Sequence, residues 1–297
     1  MQAIHTLVAA TDFSPWADQA VMRATTLAKQ LGAELTLLNV VSPMTLYPGL
    51  DIGLGAEAYA AAGEHAAADR LEALAGVLRD RYAIPVRTAQ RIGRAYRQIA
   101  DYAATLGADL VVVGARGENS LARLLMGSTA QRLLRVRLGP VLVVRTAPLE
   151  PYYCRPLAAV DFSPDSHAAL AWAARLAGEG RLEALHVLPE EDEGRLRGAG
   201  LDSEAIRQRR AEMRAIAENL MANLLADLPV PAVGHVETGP AAKAILARAG
   251  ESRADLIVLG RHGTGGLEEW LLGSVSKDVA QAADCDVLLV GADARSA

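Results

Sequence analysis

The feature that most constrains this chain is a stretch it contains twice. GARGENSLARLLMGST, Gly114–Thr129, sets glycines at 114, 117 and 127 and follows the last with a hydroxyl residue. GRHGTGGLEEWLLGSV, Gly260–Val275, repeats that G-x-x-G-x9-G-S spacing. The flanks repeat in the same order. LVAATDFSPWADQAV resembles LAAVDFSPDSHAALA, ADLVVVGARG resembles ADLIVLGRHG, and PVLVVR resembles DVLLVG. Matches in a fixed order are the mark of an internal duplication. A length of 297 residues accommodates two domains of about 150 residues each. The stretch TAPLEPYYCRP (146–156) joins the halves, and its prolines disfavour regular structure. Domains over 1–148 and 152–297 follow.

Each half reads as alternating strands and helices. An apolar run over 4–10 ends at Asp12, and Ser14-Pro15 is a helix-start signal. Val21, Ala24, Leu27, Ala28 and Leu31 then share one helical face. Further strands are expected at 33–41, 84–91, 109–114 and 140–145, with helices at 57–81, 95–107 and 128–137. DLVVVG is continuously apolar, as a strand covered on both faces requires. Such alternation gives a parallel sheet with helices on both sides. The fold class is therefore α/β, with two tandem domains, each a five-stranded parallel sheet sandwiched by helices in a Rossmann-like layer. The last strands, 140–145 and 286–290, are sheet edges. Pairing between the halves as an intramolecular pseudo-dimer, or between chains as a homodimer, would satisfy them.

Composition narrows the function classes. Hydrophobic residues are 51% and aromatics only 4%, so the core is aliphatic. A formal net charge of -5 argues against a nucleic-acid footprint, though not against a local phosphate site. Cys154 and Cys285 are too few for a disulfide scaffold or a four-ligand zinc site. His5, His65, His167 and His235 show no ligand spacing, so no metal site is expected. No run resembles a signal peptide or a membrane span. The expectation is a soluble cytoplasmic protein with no nucleic-acid or membrane partner.

The glycines carry the functional reading. Gly114 and Gly260 end buried strands, and ligands of open parallel sheets bind beyond such carboxyl ends. The glycines there are expected to turn the chain with positive φ and to admit a ligand closely. Gly127-Ser128-Thr129 and Gly273-Ser274-Val275 open helices, whose N-termini favour anions. The Ser128 hydroxyl is expected to cap its helix or to meet a phosphate. Two backbone cradles joined by a flexible loop suit a di- or triphosphate, whereas plain turns are the simpler alternative.

With these residues in view, the chain resembles a tandem universal stress protein. TDFSP at the first strand, LNVV or LHVL at the second, ADLIVLGRHG at the fourth and the doubled glycine motif all fall in that family's order. The motif is that of its ATP-binding branch, with an adenine nucleotide α-hydrolase-like fold. The resemblance implies an adenine nucleotide ligand, ATP with or without Mg²⁺. It places Asp12 and Asp161 beside the adenosine, and the backbone of Val40 and Val187 against the adenine. Gly114, Gly117, Gly127 and Ser128 match the ribose–phosphate loop of one half, and Gly260, Gly263, Gly273 and Ser274 that of the other. A second hydroxyl toward the phosphates is Ser276 in the second half. The first half has Ala130 there, beside Thr129, which makes the first site the weaker one.

Other residues have two readings each. Arg116 and the Arg261-His262 pair lie inside the G-x-x-G turns, as phosphate neutralisers or as solvated cations. Asp12 and Asp161 orient Mg²⁺ or a ribose hydroxyl, or act as helix N-caps. His186 is read as hydrogen-bonded structure, EEDE (190–193) as a solvated loop, and the Met and Leu residues of 205–228 as core. No nucleophile elbow or Walker A loop is present. The expected function is a nucleotide-dependent stress-response regulator with at most slow ATP hydrolysis, since no base beyond Asp12 or Asp161 is evident. The alternatives are a scaffold with vestigial sites and a binder of another small ligand.

Overall fold

A computed structural model describes residues 3–42, 56–117, 126–136, 138–148, 150, 152–178, 180–190, 192–263 and 272–291. The chain divides into two compact units, Met1–Tyr152 and Tyr153–Ala297. The loop segments 118–125 and 264–271, and 43–55 of the variable stretch, lie outside the described residues.

In the first unit the elements run β1 (Thr6–Thr11), α1 (Pro15–Leu31), β2 (Glu34–Val41), α2 (Ala56–Tyr82), β3 (Val86–Ile92), α3 (Ala95–Leu106), β4 (Leu110–Gly114), α4 (Ser128–Leu133) and β5 (Val141–Val144). The strands lie in the order β3-β2-β1-β4-β5, and every pairing is parallel. Ala9 of β1 sits between Leu37 of β2 and Val112 of β4. The chain winds one way from β1 to β3 and the other way from β4 to β5. The carboxyl ends of β1 and β4 are thus the switch point where such sheets open a crevice. Leu110–Val113 are all buried, so both faces of β4 are covered.

The second unit repeats the plan: β6 (Pro156–Ala159), α5 (Pro164–Leu176), β7 (Leu182–Leu188), α6 (Glu193–Gly198), α7 (Ser203–Ala226), β8 (Ala232–Thr238), α8 (Ala241–Ser252), β9 (Leu256–Gly260), α9 (Ser274–Ala282) and β10 (Asp286–Val290). Its order is β8-β7-β6-β9-β10, again parallel, with the switch point between β6 and β9.

Local chemistry sets these elements. Ser14 caps α1 by accepting from Ala17 N, Pro15 follows at the first helical position, and Gly32 ends the helix at φ 64°. Ser163 and Pro164 do the same for α5. The buried face of α1 is mostly Ala17, Ala20, Val21, Ala24, Leu27 and Ala28. Small side chains let the helix lie close on the sheet. The aspartate of the ADL repeat fastens strand ends together. Asp109 accepts from His5 N and Thr6 N, and Asp255 from Cys154 N and Arg155 N. Each carboxylate ties the start of the first strand of its unit to the start of the fourth.

Several expectations are corrected. The helix from 128 stops at Leu133, because Arg135 N and Val136 N turn to i−3 carbonyls and tighten the chain. Pro156 begins β6, a strand position that needs no donor. Glu193 begins α6 rather than lying in a solvated loop, and Asp192 accepts from Gly194 N and Arg195 N at its start. On α7, Ile206, Ala217 and Met221 face the core, while Met213, Ile216 and Leu220 are exposed. Among the described residues no helix is long and apolar enough to cross a membrane.

Candidate functional site

The site begins at the D-F-S turn after the first strand of each unit. Asp12 Oδ1 accepts from Ser14 N at 3.0 Å. Asp161 Oδ1 accepts from Ser163 N at 3.1 Å and from Ser163 Oγ at 2.5 Å. The serines therefore cap the helices, and the aspartates are not the caps. Between them, Phe13 and Phe162 take φ of 61° and 63°. A left-handed conformation costs an L-residue roughly 1–2 kcal/mol, and the turn holds because its rings are packed. Arg70 covers Phe13 at 4.4 Å, and His186 stacks on Phe162 at 4.5 Å. His186 Nδ1 also meets Val160 O at 2.8 Å, as Asn39 Nδ2 meets Thr11 O in the first unit. His186 is thus held in structure.

The motif glycines lack the positive φ expected of them. None of Gly114, Gly117, Gly127, Gly260, Gly263 and Gly273 has positive φ. Four of them, Gly114, Gly117, Gly260 and Gly263, stand in close approach to a neighbour instead. A Cβ on Gly117 would stand 2.7 Å from Asp12 Oδ2, and one on Gly263 2.6 Å from Asp161 Oδ2. A Cβ on Gly114 would meet Trp16 O at 2.8 Å, and one on Gly260 Asp165 Cβ at 2.9 Å. The end of β4 or β9 is pressed onto the helix start and the aspartate of the neighbouring strand.

Gly127 and Gly273, not the serines, are the N-cap residues of α4 and α9, and no side chain caps either helix. Gly127 N donates to Ala115 O and Gly273 N to Arg261 O, which folds the motif back on its own strand end. Ser128 and Ser274 are the first helical residues. Thr129 follows Ser128 on α4. Ser276 Oγ donates to Gly260 O at 2.7 Å. That hydroxyl ties α9 to β9, with its hydrogen turned to the strand rather than to a ligand. Ala130 fills the equivalent place in the first unit and is buried.

These residues surround a cavity of ≈ 370 Å³ in the second unit. Asp161 from the turn after β6, Val187 from β7, the turn Gly260, His262 and Gly263, and Gly273, Ser274, Val275 and Ser276 at the start of α9 all line it. Leu185, Ile245, Leu259 and Ala241 give it an apolar side. The glycine contacts make a tight backbone rim, and no side chain caps the N-terminus of α9. In the first unit Asp12 is exposed, Val40 is partly buried at the end of β2, and Gly114 and Gly117 stand beside Trp16 and Asp12.

The cations of the G-x-x-G turns are neither free nor alike. Arg116 lies over the Trp16 ring at 4.5 Å. Its counterpart His262 is held by Asp165: backbone N to Oδ2 at 3.0 Å and ring Nδ1 to the same oxygen at 3.1 Å. Arg261 is buried, 6% exposed, against Gly291 and outside the cavity wall. Asp165 is the site residue that the sequence reading missed. The signal was present: both partners change together between the halves, Trp16 with Arg116 and Asp165 with His262.

The sequence and the fold have counterparts in known proteins. The universal stress protein family matches this chain over residues 3–145 and again over 153–291. A universal stress protein of Mycolicibacterium smegmatis is 32% identical over 291 residues, 96% of each chain. One of Mycobacterium tuberculosis is 35% identical over 187 residues, 61% of each chain. A crystal structure of a universal stress protein from Archaeoglobus fulgidus shares the fold, with a TM-score of 0.70 at 20% identity over 99% of this chain and 100% of that one. Two successive family matches and a relative alike over almost its whole length lead to one conclusion: this chain belongs to the universal stress protein family, as a tandem of two domains.

Proposed function

We propose that the chain binds an adenine nucleotide, foremost ATP, and acts as a nucleotide-dependent regulator in the stress response. The observation that carries this reading is the second-unit cavity. Its ≈ 370 Å³ lies within the range of small-molecule pockets. Leu185, Val187 and Ile245 offer an apolar wall for a base, and Asp161 offers a carboxylate for a ribose hydroxyl. The Gly260–Gly263 turn and the uncapped start of α9 offer backbone N–H groups and a helix dipole for phosphates. Mg²⁺ accompanying ATP would be held chiefly by phosphate oxygens. Asp161 is the carboxylate of the cavity wall.

Bound nucleotide would alter the surface around the site, and partners would read that change. Isothermal titration of ATP·Mg²⁺ into nucleotide-stripped protein tests the reading. The expected result is binding with one site lost in Gly273→Val, whose side chain would press on the Arg261 carbonyl. Absence of both binding heat and thermal shift would overturn it.

A further inference from the structure

We infer that His262, positioned by Asp165, is a general base through which the second unit hydrolyses the terminal phosphate of its nucleotide. This rests on the nucleotide reading above. It supplies a base other than Asp12 and Asp161, the two candidates the sequence offered.

Asp165 Oδ2 is the partner of both the backbone N–H and ring Nδ1 of His262. A carboxylate oxygen accepts and does not donate, so Nδ1 carries the hydrogen. A neutral imidazole so oriented leaves a bare lone pair on Nε2. His262 lines the cavity, and Nε2 has no protein partner among the described residues. Its neighbours along the wall are Gly263 and the start of α9, the groups that would face phosphate. Asp165 is only 9% exposed and packs at the first turn of α5 against Gly260, so the orientation is rigid. An imidazole fixed by a buried carboxylate is the arrangement that prepares a base in hydrolytic sites.

Asp161 is less suited to act as the base. Its Oδ1 already accepts twice from Ser163. The first unit keeps an equivalent aspartate in Asp12 but replaces the dyad with Arg116 over Trp16, a pair with no basic lone pair. Among the described residues, the imidazole–carboxylate dyad belongs to the second unit.

The step balances with water as co-reactant. A water oxygen attacks the terminal phosphorus, and its proton passes to His262 Nε2. The bond from phosphorus to the bridging oxygen breaks. The diphosphate keeps the electron pair, and inorganic phosphate is the second product. The imidazolium then returns its proton to bulk water. His262 is the catalytic residue, and Asp165 is a positioning residue.

The test combines three measurements on the full chain: ATP·Mg²⁺ affinity, phosphate release at saturating ATP, and the His262 tautomer by ¹⁵N NMR without nucleotide. The expected results are an Nδ1–H tautomer, and phosphate release reduced on the order of 10²-fold in His262→Gln with affinity held within about threefold. Asp165→Asn should leave KM near its original value, lower kcat and erode the tautomer preference. Equal phosphate release by His262→Gln while it binds ATP would overturn the base assignment and leave the nucleotide reading intact. So would an Nε2–H tautomer, or tight binding without turnover in the unaltered protein. No ATP binding by the unaltered protein would overturn both.

Discussion

The Asp161 carboxylate occupies the space that a side chain at Gly263 would need: a Cβ there would stand 2.6 Å from Oδ2. Asp12 and Gly117 are related in the same way, at 2.7 Å. A side chain at either position must therefore move the aspartate carboxylate beside it. Gly263→Ala must displace Asp161 or the turn. Overpacking of this kind costs about 1–3 kcal/mol. Expressed as binding, that is a loss of about five- to 150-fold in ATP affinity at the second unit, checked by titration calorimetry. Gly117→Ala should leave the second-unit affinity unchanged.

Ser276 is predicted to act as a structural tie. Ser276→Ala removes its bond to Gly260 O and should lower stability by about 0.5–1.5 kcal/mol. ATP affinity should fall far less than in Gly273→Val. Thermal unfolding with parallel titration separates the two effects. An affinity loss as large as that of Gly273→Val would instead assign the hydroxyl to the phosphates.

Arg253 ends α8 at φ 52°, where Gly107 ends α3 at φ 65°. An L-residue in that conformation is strained, and glycine is not. Its side chain is not needed for the bond from Arg155 Nε, which goes to the backbone carbonyl. Arg253→Gly should raise stability by up to about 1 kcal/mol, seen as a thermal midpoint higher by about 2–4 °C. Gly107→Arg should lower the midpoint of the first unit.

Asp255 holds Cys154 N at 2.6 Å and Arg155 N at 3.0 Å. Asp255→Ala leaves both amides without that partner, at a cost of about 1–3 kcal/mol. Hydrogen exchange at the amides of residues 154 and 155 should accelerate, while that of the central β9 amides changes less. Unchanged exchange at 154 and 155 would show that the ADL aspartate is dispensable for strand docking.

Much of the architecture was legible in the sequence. The duplication, the five strands and the main helices of each half are local patterns: apolar runs, helical spacing, and Ser-Pro starts. The placement of Asp161, Gly260, Gly263 and Gly273 around one cavity was legible for a related reason. A parallel order with its switch at β6 and β9 brings those carboxyl ends together whatever the loops contain. The tertiary structure alone decided what each residue does there. Close approach rather than positive φ marks Gly114, Gly117, Gly260 and Gly263, and a carbonyl of β9 took the hydrogen of Ser276. Packing turned Arg261 away from the cavity wall, paired Arg116 with Trp16, and joined His262 to Asp165 across 97 residues of chain. The rotation of α7 left Met213 and Leu220 exposed while Met221 entered the core. The physical reason is common to these cases. Periodicity specifies which elements form, whereas strand register and the depth at which a helix packs specify which distant atoms meet.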